Sequence, residues 1–106
     1  MTVKEFKEQV TLTTSGGGCL NGRILVSFAK LVRLLGEPNS NNDGYKTDAE
    51  WAVSFKGETF AIYNYKDGKN YNGKGGLDIE QLMDWHIGGN DKVVANELIE
   101  LIKSVY

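Results

Sequence analysis

With 106 residues, 41% of them apolar and 25% charged, the chain has the length and balance of one globular domain and not of a disordered segment. A net charge of -2 excludes reliance on bulk attraction to duplex nucleic acid, which takes a strong basic excess, and is too small for a mimic of nucleic-acid charge. The single cysteine, Cys19, excludes an internal disulfide and a cysteine-based zinc site, and it fits a reducing compartment. No apolar run approaches the ~20 residues of a membrane span, and the residues after Met1 lack the core of a signal peptide. The expectation is a cytoplasmic protein without a membrane partner.

Thr2 and Glu5 have capping-box spacing, which predicts a short helix from Val3 to about Gln9. The β-branched run Val10–Thr14 reads as a strand, and Ser15–Gly18 as a turn, because three consecutive glycines resist regular structure. Arg23–Val26 is a short apolar strand leading out of it. Ser27 then caps a helix over about 28–35 whose apolar residues Phe28, Leu31, Val32, Leu34 and Leu35 share one side, stopped by Gly36 and Pro38. The polar stretch 39–44 reads as an exposed, variable turn.

A hairpin over about 50–65 follows. Trp51, Val53 and Phe55 alternate with smaller residues, Gly57 lies at the turn, and the return strand sets Phe60 and Ile62 against Ala61, Tyr63 and Tyr65. A second aromatic face is unusual on a surface strand and calls for a cover. Asp78 and Gln81 suggest one or two helical turns over Ile79–Asp84, and Trp85-His86-Ile87 a third strand. Asn90 or Asp91 caps a last helix over about 92–104, with Val94, Leu98, Leu101, Ile102 and Val105 on one stripe. The predicted class is α+β: a small antiparallel sheet in a single domain, with the two main helices on one face. A homo-oligomer would supply the missing cover.

Two stretches carry the candidate chemistry. Residues 63–76 hold Tyr63, Tyr65 and Tyr71 for stacking and hydrogen bonding, and Lys66, Lys69 and Lys74 for charge. Their glycines would let backbone amides approach a ligand. That set suits an anionic, nucleotide-like ligand; the plain alternative is a hairpin-end loop with solvated lysines and packed tyrosines. The loop is neither a Walker A motif nor a dinucleotide fingerprint.

The second stretch, Trp85-His86-Ile87-Gly88-Gly89, offers the one histidine and two glycines that would open the last helix toward an anion, although Asp91 can fill the same donors. His86 is read either as a ligand contact or as a structural residue, and Trp51 and Trp85 as core. Tyr45-Lys46-x-Asp48 frames the same region by proximity in sequence alone. No nucleophile with an oriented base and no metal-ligand cluster is present, so no catalytic residue, metal or cofactor is expected.

The segments Ser27–Pro38, Tyr45–Trp51, Ile62–Tyr71 and Trp85-His-Ile-Gly-Gly89 resemble a family of small, largely uncharacterised bacteriophage proteins, over about residues 20–106. The resemblance carries no activity with it. It implies a phage or prophage origin, a bacterial host cytoplasm and a counter-defence role. Two expectations follow: sequestration of a nucleotide-like signal such as a cyclic nucleotide, or inhibition of a host defence protein through the same loop. A small nucleotide-processing enzyme using His86 as base is third.

Overall fold

The computed structural model describes residues 1–40 and 44–106; residues 41–43 of the turn expected at 39–44 fall outside them. In chain order the elements are α1 (Val3–Gln9), β1 (Val10–Leu12), β2 (Cys19–Leu25), α2 (Phe28–Leu35), β3 (Glu50–Phe55), β4 (Glu58–Tyr63), α3 (Lys69–Asn72), β5 (Asp84–Gly89) and α4 (Lys92–Ser104). Single 3-10 turns lie at Gly73–Gly75 and Ile79–Gln81. The strands form one antiparallel sheet in the order β1-β3-β4-β5-β2, so the class is α+β as expected.

Local chemistry accounts for the helix ends. The Thr2 hydroxyl accepts from Glu5 N–H while the Glu5 carboxylate accepts from Thr2 N–H, which closes the capping box of α1. Ser27 Oγ accepts from Lys30 N–H, and Gly36 ends α2 at a φ of 84° that a side chain would resist. Asp91, rather than Asn90, caps α4 by accepting from Val94 N–H at 3.0 Å. The β3–β4 turn puts both Lys56 (φ 52°) and Gly57 (φ 77°) in the left-handed region, as a two-residue hairpin requires.

Register then sorts the side chains. Trp51 faces Ile62 and Ile62 faces Ile87, while Val53 faces Phe60, so one surface of the sheet is a row of large apolar groups. Against it pack Phe6 of α1, Leu31, Leu34 and Leu35 of α2, and Leu98, Ile99 and Ile102 of α4. Two positions need glycine there. A Cβ on Gly22 would lie 2.6 Å from Ile99 Cδ1, and one on Gly89 would lie 2.4 Å from the Phe60 ring.

The opposite surface is covered in part by the chain itself. Thr13 N–H donates to Ala52 O at 3.0 Å, after which the chain crosses the sheet to reach β2 at the far edge. A Cβ on Gly16 would lie 2.2 Å from Phe60 O, and one on Gly17 would lie 4.0 Å from Ala61 Cβ. The glycine run is thus a strap laid flat over Ala52 and Ala61, small residues opposite each other in register. At the β5–β2 end the same surface stays open, where Leu20 and Leu25 are exposed.

Several elements differ from expectation. β1 stops at Leu12 because the chain leaves the sheet after Thr13. β2 starts at Cys19, four residues early, and a bulge between Leu20 and Gly22 breaks the alternation that would have revealed it. The Asp78 capping box forms but holds only the 3-10 turn Ile79–Gln81, since Leu82 is extended and fully buried. Gly88 and Gly89 end strand β5 and do not open α4.

Candidate functional site

One row on this side of the sheet crosses four strands, from the buried Glu50 outward to the open β5–β2 end. Glu50 on β3 stands opposite Tyr63 on β4, Tyr63 opposite His86 on β5, and His86 opposite Arg23 on β2. Arg23 reaches past the histidine to Asp84, donating from Nε at 3.2 Å and also from Nη2. The Tyr63 ring meets His86 edge-on at 5.5 Å. Gly88 lies under that ring, where a Cβ would make an ordinary contact 3.5 Å from Tyr63 Cε1. Burial raises the Tyr63 pKa, with Glu50 and Tyr65 adding to it, so its hydroxyl stays a neutral donor.

From that row an aromatic and cationic ribbon extends outward. Tyr65 stacks on His86 with ring centroids 5.5 Å apart and planes 26° off parallel. Lys66 Nζ lies 5.2 Å from the ring centres of both Tyr65 and Tyr71, and Lys46 Nζ lies 5.9 Å from that of Tyr65. Tyr71 in turn packs against Tyr45 at 5.2 Å. His86, Tyr65, Lys66, Tyr71 and Tyr45 therefore form a continuous strip; Tyr45 and Tyr65 are 60% and 41% exposed.

The strip rests on a polar knot. Asn64 is fully buried, and its amide satisfies four groups. Its Oδ1 accepts from Asp48 N–H at 2.7 Å and Ala49 N–H at 3.0 Å, and its Nδ2 donates to Asp48 Oδ1 and Asp67 Oδ1, each at 2.9 Å. Asp48 Oδ2 accepts from Asn70 N–H, Asn70 Nδ2 donates to Thr47 O, and Asn72 Nδ2 donates to Lys66 O and Gly68 O. Two glycines are spent on this packing. A Cβ on Gly68 would lie 2.0 Å from Asp48 Oδ1, and one on Gly76 would lie 2.2 Å from Gly68 O. The loop read as open to a phosphate is folded upon itself.

The structure therefore divides the expected site. Tyr63, Tyr65, Lys66, Tyr71 and His86 come together, with Gly88 beneath them. Trp85 does not join: it alternates to the other side of β5 and is fully buried in the core. Gly89 faces that core as well, and its missing Cβ leaves room for the Phe60 ring. Lys69 is held 2.7 Å from Asp78, which raises its pKa, and Lys74 is exposed on the 3-10 turn Gly73–Gly75. A buried amide such as Asn64 has no sequence signature, and proximity in sequence is the one signal that points to Tyr45 and Lys46.

Two grooves indent the surface elsewhere. One of about 560 Å³ runs along α4 between Val93, Glu97, Glu100 and Leu101, and one of about 300 Å³ lies between Lys7, Val10, Leu12 and Leu34. Neither includes a residue of the strip. Among the described residues, no group of three or more His, Cys, Asp or Glu side chains is placed to hold a metal ion. No helix among them is long and apolar enough to cross a membrane.

His86 supplies a pH prediction. Burial lowers its pKa from 6.5, Arg23 lowers it further, and Asp84 and Asp67 oppose them. The folded protein thus binds this proton less readily than the unfolded chain. Stability from this group is full above the unfolded value of about 6.5 and is lost as pH falls through the folded value. Between pH 7.5 and 5, Tm should fall further for the wild type than for His86→Gln; equal losses would show that the histidine is not responsible.

Comparison with family models, with curated proteins and with solved structures finds no match for this chain.

Proposed function

We propose that this chain is a non-catalytic binding protein that docks on an acidic face of another protein through the strip from His86 to Tyr45. The supporting observation is the state of its ring faces. Tyr65 already has His86 stacked on it and two ammonium groups over it, and Tyr71 lies between Tyr45 and Lys66. A base seeking to stack there would displace a group of the protein itself. Tyr65, Lys66 and Tyr71 are nonetheless exposed, on a surface away from both grooves. Flat surfaces rich in tyrosine suit protein partners, whereas small ligands favour concave sites. The resemblance to bacteriophage proteins extends the proposal: the partner belongs to a bacterial defence complex and is met in the host cytoplasm.

Two variants and one screen test this reading. Tyr71→Ala is expected to weaken binding by about 30-fold, the ~2 kcal/mol of an aromatic anchor. Lys66→Ala should weaken it about threefold and reduce its dependence on salt. Co-purification from bacterial lysate, followed by titration of the recovered partner against both variants, measures these effects. In parallel, mono-, di- and cyclic nucleotides at ~100 times their dissociation constants would stabilise a true nucleotide binder by about 2.7 kcal/mol. No thermal shift is expected. A clear shift abolished by Lys66→Ala would overturn the proposal in favour of nucleotide sequestration.

A further inference from the structure

The two edges of the sheet are unlike. β1 is three residues long, and the Asn39 side chain closes the ladder beside its end, accepting from Ala52 N–H at 2.8 Å and donating to Thr13 O at 2.9 Å. β2 is seven residues long, contains no proline or lysine, and carries Leu20 and Leu25, which are 54% and 75% exposed. Its last bond fixes which way its backbone points. Val26 N–H donates to Met83 O at 2.9 Å, so Val26 faces β5. Backbone groups alternate along a strand, so Ile24 faces β5 too, and Arg23 and Leu25 aim their N–H and C=O groups outward. Among the described residues, nothing bonds to these outward groups.

Long edges are ordinarily blunted by charge, proline or a bulge. The bulge at Asn21 disrupts one end of this edge only, and the charge of Arg23 is matched within its own chain by Asp84. We propose that β2 joins two copies of this chain edge to edge, antiparallel, about a two-fold axis at Ile24.

Register favours a second copy as the occupant. An axis at Arg23 would set two guanidinium groups directly opposite, which is unfavourable. An axis at Ile24 pairs Arg23 with the partner's Leu25, and symmetry repeats the pair. Both residues point outward, so each pair exchanges two backbone hydrogen bonds. The most exposed side chain of the strand then lies along the aliphatic stem of the arginine paired with Asp84.

The axis stands perpendicular to the sheet, so both open surfaces face the same way. The two β5 strands lie three strand spacings apart, about 14 Å. The two His86 strips thereby become one doubled surface, whatever they bind. The proposal stands independently of the binding reading.

Light scattering on the full chain at micromolar concentration is expected to give twice the 11.7 kDa chain mass, falling on dilution. Leu25→Pro removes an outward N–H that the fold does not use, and should give the chain mass with unchanged far-ultraviolet circular dichroism. Leu25→Lys faces an ammonium group with the partner's Arg23 twice, and should raise the dimer dissociation constant about tenfold. A wild-type monomer throughout that range overturns the proposal. So does a dimer that tolerates Leu25→Lys with its affinity unchanged.

Discussion

Replacing Trp85 by alanine is expected to cost about 3–5 kcal/mol, a large share of the 5–15 kcal/mol that holds an ordinary domain together. The indole is fully buried, meets Trp51 edge-on at 5.4 Å, and lies 6.3 Å from Phe28. Its Nε1 donates to Val26 O at 2.8 Å, just before α2, and Trp51 Nε1 donates to Gly36 O at 2.8 Å, just after it. The two indoles thus pin both ends of α2 to the sheet, with Phe28 between them. Trp85→Ala leaves a cavity and an unpaired carbonyl together. Trp85→Phe keeps most of the buried area but loses the bond, and should cost about 1–3 kcal/mol. Urea denaturation of the three proteins measures both. A loss below about 1 kcal/mol for the alanine variant would remove Trp85 from the core and reopen a role at the surface.

The contrast between Trp85 and its neighbour shows what was legible in the sequence. Helices α1, α2 and α4 declared themselves through caps and periodicity, which are local. The β3–β4 hairpin did so through alternation around Gly57. The glycines could not be read in this way. Gly68, Gly76 and Gly89 each sit against an atom from elsewhere in the chain, so their reason is steric and non-local. In sequence Gly16 and Gly17 look like a turn, because nothing in their own segment says that they cross a sheet. The aromatic side of β4 calls for a cover, but the strap from the same chain covers Ala61 and stops short of Tyr63 and Tyr65, the latter 41% exposed. The convergence of Tyr63, Tyr65, Tyr71 and His86 was visible as composition. Its geometry depends on Asn64, whose partners Asp48 and Asp67 lie 16 and 3 residues away and leave no periodic trace.

Asn64→Ala should accordingly be the most damaging polar substitution, at about 3 kcal/mol and on the order of 15 °C in Tm. It orphans the N–H groups of Asp48 and Ala49 and removes the one donor shared by two carboxylates. The loss should concentrate in the loop, because Lys66, Asn70 and Asn72 are bonded to the same knot. Hydrogen exchange over residues 64–77 should then accelerate more than exchange in α4. Asn64→Asp separates shape from donor chemistry. An aspartate can still accept from Asp48 and Ala49, but its second oxygen replaces an N–H at 2.9 Å from both carboxylates. Three carboxylates then share one site, and the folded protein holds a proton there above the usual carboxylate range. The sign follows from linkage. A raised folded-state pKa gives stability that is present below the unfolded value, about 3.9, and is lost as pH rises through the folded one. The Asn64→Asp deficit in Tm relative to wild type should therefore be smallest near pH 4 and largest at neutrality. A deficit constant from pH 4 to 7 would mean that the knot is wet, with water supplying the donors, and that Asn64 orders the strip far less than its bonds imply.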